Sequence, residues 1–165
     1  MINKIYKSAL ITGAGDGIGY ETLKRFLKEK IAVYALDKNV KKLKILQKKF
    51  KFNIIELDLT DTNKLYKELS KLKIDILFAN AGIGRGAEGI LKASRDDIEI
   101  STKINMESCL HTLKAVVQNG KEQKRTYCSN GFSFWIISSN QYCLWRSKRS
   151  YSSYRPKFAC GTKWI

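Results

Sequence analysis

A glycine-rich turn, "GAGDGIG" at residues 13–19, is the first group of residues in this chain whose types and spacing could do chemistry. Glycines allow the backbone to turn tightly and to approach a ligand closely. A helix after the turn would point its free N–H groups and the positive end of its dipole at the same place, which suits a phosphate group. Glycines also simply make turns, so the motif needs support from its surroundings.

Asp37 supplies that support, because it closes the second apolar run at the distance from the glycines where dinucleotide-binding chains place an acidic residue. A carboxylate there can accept hydrogen bonds from the adenosine ribose of a nicotinamide dinucleotide. It also repels a 2′-phosphate, so NAD is favoured over NADP, although the neighbouring Lys38 weakens that preference. The alternative for Asp37 is a solvated strand end or a cap for the next helix.

The elements that would position these residues alternate along the first part of the chain. Short apolar runs predict strands at 8–12, 31–37, 52–58 and 74–82, and amphipathic periodicity predicts helices at 18–28, 39–50, 62–72 and about 95–117. This alternation predicts one folding unit, an α/β fold with a doubly wound parallel sheet. The apolar positions that recur near helical spacing are Ile18, Leu23, Phe26, Leu27, Val40, Leu43 and Leu46.

Four motifs, in order along the chain, together resemble the short-chain dehydrogenases/reductases. "TGAGDGIG", beginning at Thr12, resembles the family's Thr-Gly-x-x-x-Gly-x-Gly fingerprint, and "LDLTD" (57–61) resembles the segment after its third strand. "ANAGIG" (79–84) resembles the Asn-Asn-Ala-Gly motif, with Ala79 in place of the first Asn, and Asn105 falls where the family has an Asn in the next long helix. The resemblance implies a Rossmann-like fold and hydride transfer between NAD(H) and a small carbonyl or alcohol.

The same resemblance implies roles for individual residues. Asp58 would reach the adenine amino group, and the main chain of Asn105 would bind a water of the proton relay. Each motif also has a simpler interpretation: Asp58 as a helix cap, "NAG" as a turn, and Asn105 as a polar position on a helix. The cofactor-binding residues that the resemblance implies are Thr12, Gly13, Gly17, Ile18, Gly19, Asp37, Asp58, Leu59, Asn80, Ala81 and Gly82.

The family's remaining catalytic residues are missing from this amino-acid sequence. The resemblance predicts a Ser followed by Tyr-x-x-x-Lys, in which the Lys lowers the pKa of the Tyr. Tyr142 is followed at that spacing by Arg146 and Tyr151 by Arg155, and an arginine cannot act as a deprotonatable relay. Ser139 lies too close to Tyr142 for the family spacing. Two further pairs have the spacing only by coincidence, since they lie in the cofactor half: Tyr20 with Lys24 and Tyr34 with Lys38.

The composition changes from about residue 118, and the tail holds all three Trp, three of the four Cys and the only Pro. A reading-frame shift explains the change. Leu144 to Lys148 can be encoded TTA TGG AGA TCT AAA, which in the next frame gives Tyr-Gly-Asp-Leu, followed by Lys when the next codon begins with A. We therefore expect a shift between about Val116 and Gly120. Residues 1–117 would be a Rossmann dinucleotide-binding region and 118–165 an aberrant, poorly ordered tail, which leaves the sheet incomplete and the chain truncated and inactive.

The net charge of +16 is divided evenly between residues 1–117 and the tail, and the lysines of the first part lie along predicted helices without clustering. A nucleic-acid partner is therefore not expected. The four Cys form no Cys-x-x-Cys pair and His111 is the single histidine, so no metal site is expected. No apolar run has the length of a signal peptide or a membrane span, which predicts a cytoplasmic protein without a membrane partner. By resemblance, intact relatives form homo-oligomers.

Two other functions stay open. A non-catalytic nucleotide-binding regulatory module would use the glycine loop and Asp37 together with a genuine tail. A basic nucleic-acid-binding protein would use the positive charge and the interleaved Tyr, Trp and Arg of the tail, but it would leave the glycine loop unexplained.

Overall fold

The computed structural model describes residues 6–85 and 89–117, together with the backbone of three short strands in the tail. The strands are β1 (Ser8–Thr12), β2 (Ala32–Asp37), β3 (Asn53–Glu56), β4 (Ile76–Ala79), β5 (Thr126–Ser129), β6 (Phe134–Ile137) and β7 (Gln141–Leu144). The helices are α1 (Gly17–Lys28), α2 (Lys41–Gln47), α3 (Thr62–Leu69), α4 (Arg95–Thr102) and α5 (Ser108–Val117), with a π-helical segment, Lys103–Glu107, between the last two.

The strands form one sheet in the order β3-β2-β1-β4-β5-β6-β7. The first five of these strands are parallel, and β6 and β7 are antiparallel to their neighbours. Thr12, the last residue of β1, lies in register with Leu36 on one side and Ala79 on the other. The carboxyl ends of the three central strands therefore meet at one edge of the sheet, where ligands of open α/β sheets bind.

Alternate residues of the central strands face opposite sides of the sheet, as the two-residue period of a strand requires. In β1, Ala9 and Ile11 pack into one apolar cluster and Leu10 into the other, and all three are fully buried. Both faces are covered by apolar side chains, which explains why these strands read as continuous apolar runs in the sequence.

Helices supply the other half of each cluster. On one face, α1 contributes Leu23 and α2 contributes Leu43. On the opposite face, Leu65 of α3 and Val116 of α5 pack against the sheet. With helices on both sides of its parallel strands, the fold is the doubly wound, Rossmann-like α/β architecture that the sequence predicted.

All the predicted strands and helices form, but their ends differ and the last helix is interrupted. The helix expected over 39–50 occupies only Lys41–Gln47, and the strand expected over 52–58 is Asn53–Glu56. Leu23, Val40, Leu43 and Leu46 are buried as their spacing suggested, and Phe26 and Leu27 pack against the same cluster. Ile18 is different, because 58% of it is exposed beside the glycine turn.

The helix expected over 95–117 is not continuous. Its N-cap is Ser94, whose hydroxyl accepts the Asp97 N–H. The Asp97 carboxylate accepts the Ser94 N–H in return, and the two residues form a capping box. The π-helical segment then interrupts it at Lys103–Glu107. Such insertions are frequently found at functional sites.

The expected division at residue 118 stays a prediction. Apart from the backbones of β5, β6 and β7, the tail 118–165 lies outside the described residues. The tail positions considered for catalysis therefore lie outside them too, namely Ser139, Arg146, Tyr151 and Arg155.

Candidate functional site

The glycine loop runs from the end of β1 to the start of α1, at the edge where the carboxyl ends of the parallel strands meet. Gly13 and Gly17 adopt positive φ angles of 65° and 54°, which favour glycine. Asp16 is the N-cap of α1, and its side chain accepts the Gly17 N–H at 2.8 Å. The loop therefore presents the amino end of a twelve-residue helix, as phosphate binding requires.

Three glycines of the loop, Gly13, Gly15 and Gly19, are fixed by crowding. A Cβ placed on Gly15 would lie 2.7 Å from the Asn39 carbonyl oxygen. A Cβ placed on Gly19 would lie 2.1 Å from the Gly13 carbonyl oxygen, and one on Gly13 would lie 2.8 Å from the Cα of Ala81. Gly17 is the opposite case, because a Cβ there would meet nothing within 4 Å. Gly13 and Gly19 thus let the helix approach the strands, whereas Gly17 leaves the outer side of the loop open.

Thr12 and Asn80 tie the glycine loop to the end of β4. The Thr12 hydroxyl accepts the N–H groups of Asn80 at 3.0 Å and of Ala81 at 3.1 Å. The Asn80 side-chain amide donates in return to the carbonyl oxygens of Thr12 and Gly13, both at 3.2 Å. Thr12 is 2% exposed, so this cluster forms the floor of the site. The "NAG" segment is therefore more than a turn.

Asp37 faces the glycine loop from the end of β2. Its Oδ2 accepts the Gly15 N–H at 2.8 Å, and its Oδ1 accepts the Asn39 N–H at 2.9 Å. The N-cap of α2 is Val40, which has no side-chain capping bond, so the alternative interpretation of Asp37 as a helix cap is wrong. Gly15 and Asn39 were missed by the sequence reasoning; the Asp-x-Asn spacing, which suits an Asx turn, was the only signal for Asn39.

Asp58 follows β3 and lies next to the same edge. Its Oδ1 accepts from the Thr60 N–H at 2.9 Å and from the Thr60 hydroxyl at 2.8 Å. These two donors, the N–H first, hold the pKa of the Asp58 carboxyl below its ordinary value. The N-cap of α3 is Asp61, so the interpretation of Asp58 as a helix cap is also wrong. Leu59, next to Asp58, is 8% exposed and packs into the core cluster on that face.

Asn105 lies in the π-helical segment and clamps the chain beyond Gly82. Its Oδ1 accepts the Ile83 N–H at 2.8 Å and its Nδ2 donates to the Ile83 carbonyl oxygen at 2.9 Å. A Cβ on Gly82 would lie 3.1 Å from the same Oδ1. Asn105 is therefore a link between helix and loop, which the interpretation as a merely polar helix position missed.

The residues present fit a dinucleotide. An exposed Ile18 and an open Gly17 adjoin the amino end of α1, and carboxylates follow β2 and β3. By contrast, Tyr20 and Lys24 lie along α1, where the Lys24 Nζ pairs with Glu21 at 2.6 Å and stands 5.3 Å from the Tyr20 ring centroid. That their Tyr-x-x-x-Lys spacing is a coincidence stays a prediction.

The described residues contain neither a cluster of metal ligands nor a helix that could span a membrane. Within 6–85 and 89–117, no three or more His, Cys, Asp and Glu side chains come together as metal ligands would. Over the same ranges, none of the helices combines the length and apolar character needed to cross a bilayer.

Comparison with known proteins agrees with the geometry. Residues 7–127 match the family model described as short chain dehydrogenase. The chain is 32% identical over 121 residues to the 3-oxoacyl-[acyl-carrier-protein] reductase FabG of Buchnera aphidicola, covering 68% of this chain and 49% of that protein. It is 29% identical over 128 residues to the NADP-dependent 3-hydroxy acid dehydrogenase YdfG of Escherichia coli, covering 73% and 52%.

A solved dehydrogenase structure is also similar to this chain. The 4-hydroxyisoleucine dehydrogenase mutant complexed with NADH and succinate superposes with a TM-score of 0.63 at 28% identity, covering 74% of this chain and 53% of that one. This chain spans about half the length of the curated relatives it matches. Its fold, its glycine loop and the matched residues together place it: the chain belongs to the short-chain dehydrogenase family.

Proposed function

We propose that residues 1–117 bind a nicotinamide dinucleotide, with NAD(H) preferred to NADP(H). The observation that carries the proposal is the glycine loop, held by Thr12 and Asn80 against the ends of β1 and β4 and by Gly15 against Asp37. Backbone N–H groups and carboxylates then converge on one edge of a parallel sheet, which is where such ligands bind.

Different residues along this edge of the sheet would bind different parts of the dinucleotide. The loop residues Gly13, Gly17, Ile18 and Gly19 would hold the pyrophosphate, since they supply the open amino end of α1. Asp37 would accept from the ribose hydroxyls. The adenine would lie beside Asp58 and Leu59, and the other half of the dinucleotide beside Asn80, Ala81 and Gly82.

The choice of NAD(H) rests on charge. Asp37 presents a carboxylate where the ribose 2′-position would lie, and a phosphate there would be repelled. Family members use either dinucleotide: YdfG of Escherichia coli is described as NADP-dependent, and the 4-hydroxyisoleucine dehydrogenase was solved with NADH. Lys38 is the residue that opposes the preference.

When bound, the dinucleotide would exchange a hydride with a small carbonyl or alcohol. That reaction also needs a group that gives or takes a proton at the substrate oxygen. Asn105 is present, but the written frame holds no Tyr-x-x-x-Lys in its second half. We therefore propose that this polypeptide binds the cofactor without turnover, and that the active oxidoreductase is encoded by a frame that leaves the written one between about Val116 and Gly120.

Cofactor binding is tested by titrating the full 165-residue chain with NADH and with NADPH and following the fluorescence of the reduced nicotinamide. Saturable binding, tighter for NADH, is expected, together with no oxidation of NADH in the presence of a panel of aldehydes and ketones. An absence of saturable binding would overturn the cofactor site. Steady turnover would overturn only the proposal of inactivity.

The frame proposal has a separate test. The genomic DNA and the transcript are sequenced across the codons for Leu113 to Arg125 and beyond. A second frame that opens there and encodes Tyr-x-x-x-Lys supports the shift. If the written frame is confirmed and no such frame exists, the chain is a nucleotide-binding module with its own tail.

A further inference from the structure

The segment that contains α2 carries lysines and no acidic residues. Residues 38–51 include seven lysines and neither an aspartate nor a glutamate. Two of these lysines pair outside the segment: the Lys42 Nζ lies 2.8 Å from an Asp16 oxygen, and the Lys44 Nζ lies 3.5 Å from a Glu56 oxygen. Within 6–85 and 89–117, four of the others make no ion pair, namely Lys41, Lys48, Lys49 and Lys51. This part of the surface therefore holds a local excess of positive charge.

The basic residues of α1 and α3 are arranged differently. Acids lie one helical turn away from them, so that opposite charges pair along the helix surface. The pairs are Lys24 with Glu21, Arg25 with Glu29, Lys64 with Asp61 and Lys71 with Glu68. Such pairing is what a solvated helix surface needs. The surface of α2 has no acids of its own for this purpose, so its charge is available to a partner.

The unpaired charge lies on the side of α2 that points away from the core. Leu43 and Leu46 pack into the apolar cluster between this helix and the sheet. Positions 41, 44, 45 and 48 follow at the i, i+3, i+4, i+7 spacing of a single helix face, and all four are exposed. Lys48 keeps the right-handed helical conformation at the C-cap. We call this surface the α2 basic face; its residues are Lys41, Lys44, Ile45, Lys48 and the adjoining Lys49.

An apolar side chain stands among these lysines. Ile45 is 63% exposed, and Phe50, just beyond the helix, is exposed as well. An isoleucine offers no aromatic surface on which a nucleic-acid base could stack. The boundary between headgroups and acyl chains of a bilayer accepts an aliphatic side chain, and lysine stems lie along the same boundary with their ammonium groups at the phosphates. The combination favours an anionic lipid surface over a nucleic acid.

We propose that the α2 basic face docks peripherally on a bilayer that contains anionic phospholipids. This contact goes beyond dinucleotide binding and does not depend on it. It lies at the headgroups and needs no apolar span. The expectation of no membrane partner was drawn from the lack of such a span, and it is revised here for the surface of the bilayer.

The test centrifuges the full 165-residue chain with phospholipid vesicles and measures the bound fraction as lipid is added. One set of vesicles is phosphatidylcholine alone, and the other contains phosphatidylcholine and phosphatidylglycerol at about two to one. We expect saturable binding to the anionic set only, and weaker binding as salt is raised from about 0.1 M to about 0.3 M. Equal binding to both sets would overturn the proposal.

Two triple variants locate the contact, since the whole chain is basic and would be attracted to anionic vesicles in any orientation. Lys41→Gln/Lys48→Gln/Lys49→Gln removes three charges from the α2 basic face. Each lysine close to an anionic bilayer strengthens binding roughly fivefold, so the affinity should fall at least about tenfold. The matched control removes three exposed lysines from α3, which packs on the opposite side of the sheet: Lys64→Gln/Lys67→Gln/Lys71→Gln. Its affinity should stay within about twofold of the original. Equal losses in the two triple variants would overturn the proposal.

Ile45→Ala separates a lipid surface from a nucleic acid. Loss of its aliphatic contact should weaken binding to the anionic vesicles roughly threefold to tenfold and leave binding to a single-stranded oligonucleotide unchanged. Vesicle affinity that Ile45→Ala leaves unchanged would overturn the insertion of this side chain and with it the choice of a lipid surface. If the α2 triple variant loses affinity for the oligonucleotide but none for the vesicles, the face binds nucleic acid and the proposal is wrong.

Discussion

Asn105 holds Ile83 through both of its backbone groups, at 2.8 Å to the N–H and 2.9 Å to the carbonyl oxygen. An asparagine amide holds its carbonyl oxygen and its NH2 group in one plane, so it can accept from and donate to a single residue of an extended chain, as a neighbouring strand would. The π-helical segment supplies the side chain from a helix, and the loop after β4 receives it.

The first prediction concerns this clamp. Asn105→Ala leaves both Ile83 groups without these partners, and we expect a loss of about 1 kcal/mol in the free energy of unfolding, since the clamp is exposed to solvent. Hydrogen exchange at the Ile83 N–H should accelerate. Asn63→Ala, an exposed asparagine on α3, is the control and should leave that exchange rate unchanged. Equal protection of the Ile83 N–H in both variants would contradict the clamp.

The second prediction separates the glycines. Gly19→Ala forces a Cβ to within 2.1 Å of the Gly13 oxygen, so we expect destabilisation by about 3 kcal/mol and loss of NADH binding. Gly17→Ala meets no atom but retains a positive φ, which costs about 1–2 kcal/mol. Gly84→Ala, which has open space around it, is the control. Urea unfolding should give the order Gly19, Gly17, Gly84, and a different order would contradict the described packing.

The third prediction concerns Asp37. Asp37→Ala removes the acceptor of the Gly15 and Asn39 N–H groups together with the proposed ribose ligand. Hydrogen bonds to charged groups contribute about 1.5–3 kcal/mol, so NADH affinity should fall at least about tenfold. NADPH affinity should fall less. Glu56→Ala tests an acid at the end of the adjacent strand, which pairs with Lys44 at 3.5 Å, and should change neither dissociation constant appreciably. Equal losses of affinity for NADH and NADPH would contradict the proposal that Asp37 selects between them.

The fourth prediction concerns acid. The pKa of Asp58 lies below its ordinary 3.8 in the folded chain because Thr60 donates to it. Such a carboxyl group stabilises the fold above its unfolded pKa, and the stabilisation is lost as the pH falls through the folded pKa. Asp58→Asn should therefore flatten the decline of unfolding free energy between about pH 5 and pH 2. Thr60→Val, which lacks only the hydroxyl donor, should flatten it in part. An unaltered decline in both would contradict the assignment.

The fifth prediction tests the packing of α2. Leu43 is fully buried and Ile45, on the same helix, is 63% exposed. Leu43→Ala should lower the free energy of unfolding by about 2–5 kcal/mol, and Ile45→Ala by no more than about 0.5 kcal/mol. Urea denaturation of the two variants measures the difference. Similar losses would mean that α2 does not pack on the sheet as described.

The sequence predicted this fold well because its signals are local. The apolar run Ser8–Thr12 predicts a strand that is buried on both faces. The spacing of Leu43 and Leu46 predicts a helix with one buried face. Glycines at 13, 17 and 19 likewise predict a turn, because the backbone there has positive φ angles or leaves no room for a Cβ.

What the sequence could not predict depends on contacts between distant residues. The π-helical segment accompanies the pairing of Asn105 with Ile83, 22 positions away, and no helical periodicity records it. The hydrogen bond from Gly15 to Asp37 and the ion pair between Lys42 and Asp16 depend on how closely the loop approaches β2 and α2. Asp61 rather than Asp58 caps α3, a choice between two acids three positions apart that the sequence alone leaves open.

The bond between Thr12 and Asn80 joins residues 68 positions apart. Bringing such distant residues together costs chain entropy before the bond forms, so we expect the loop to be fixed late in folding. A nascent chain that has emerged only as far as β3 can make β1, α1 and β2, but its glycine loop still lacks the partner that fixes it. During synthesis, we therefore expect the proposed dinucleotide site to be completed only once Asn80 has left the ribosome and β4 has docked beside β1.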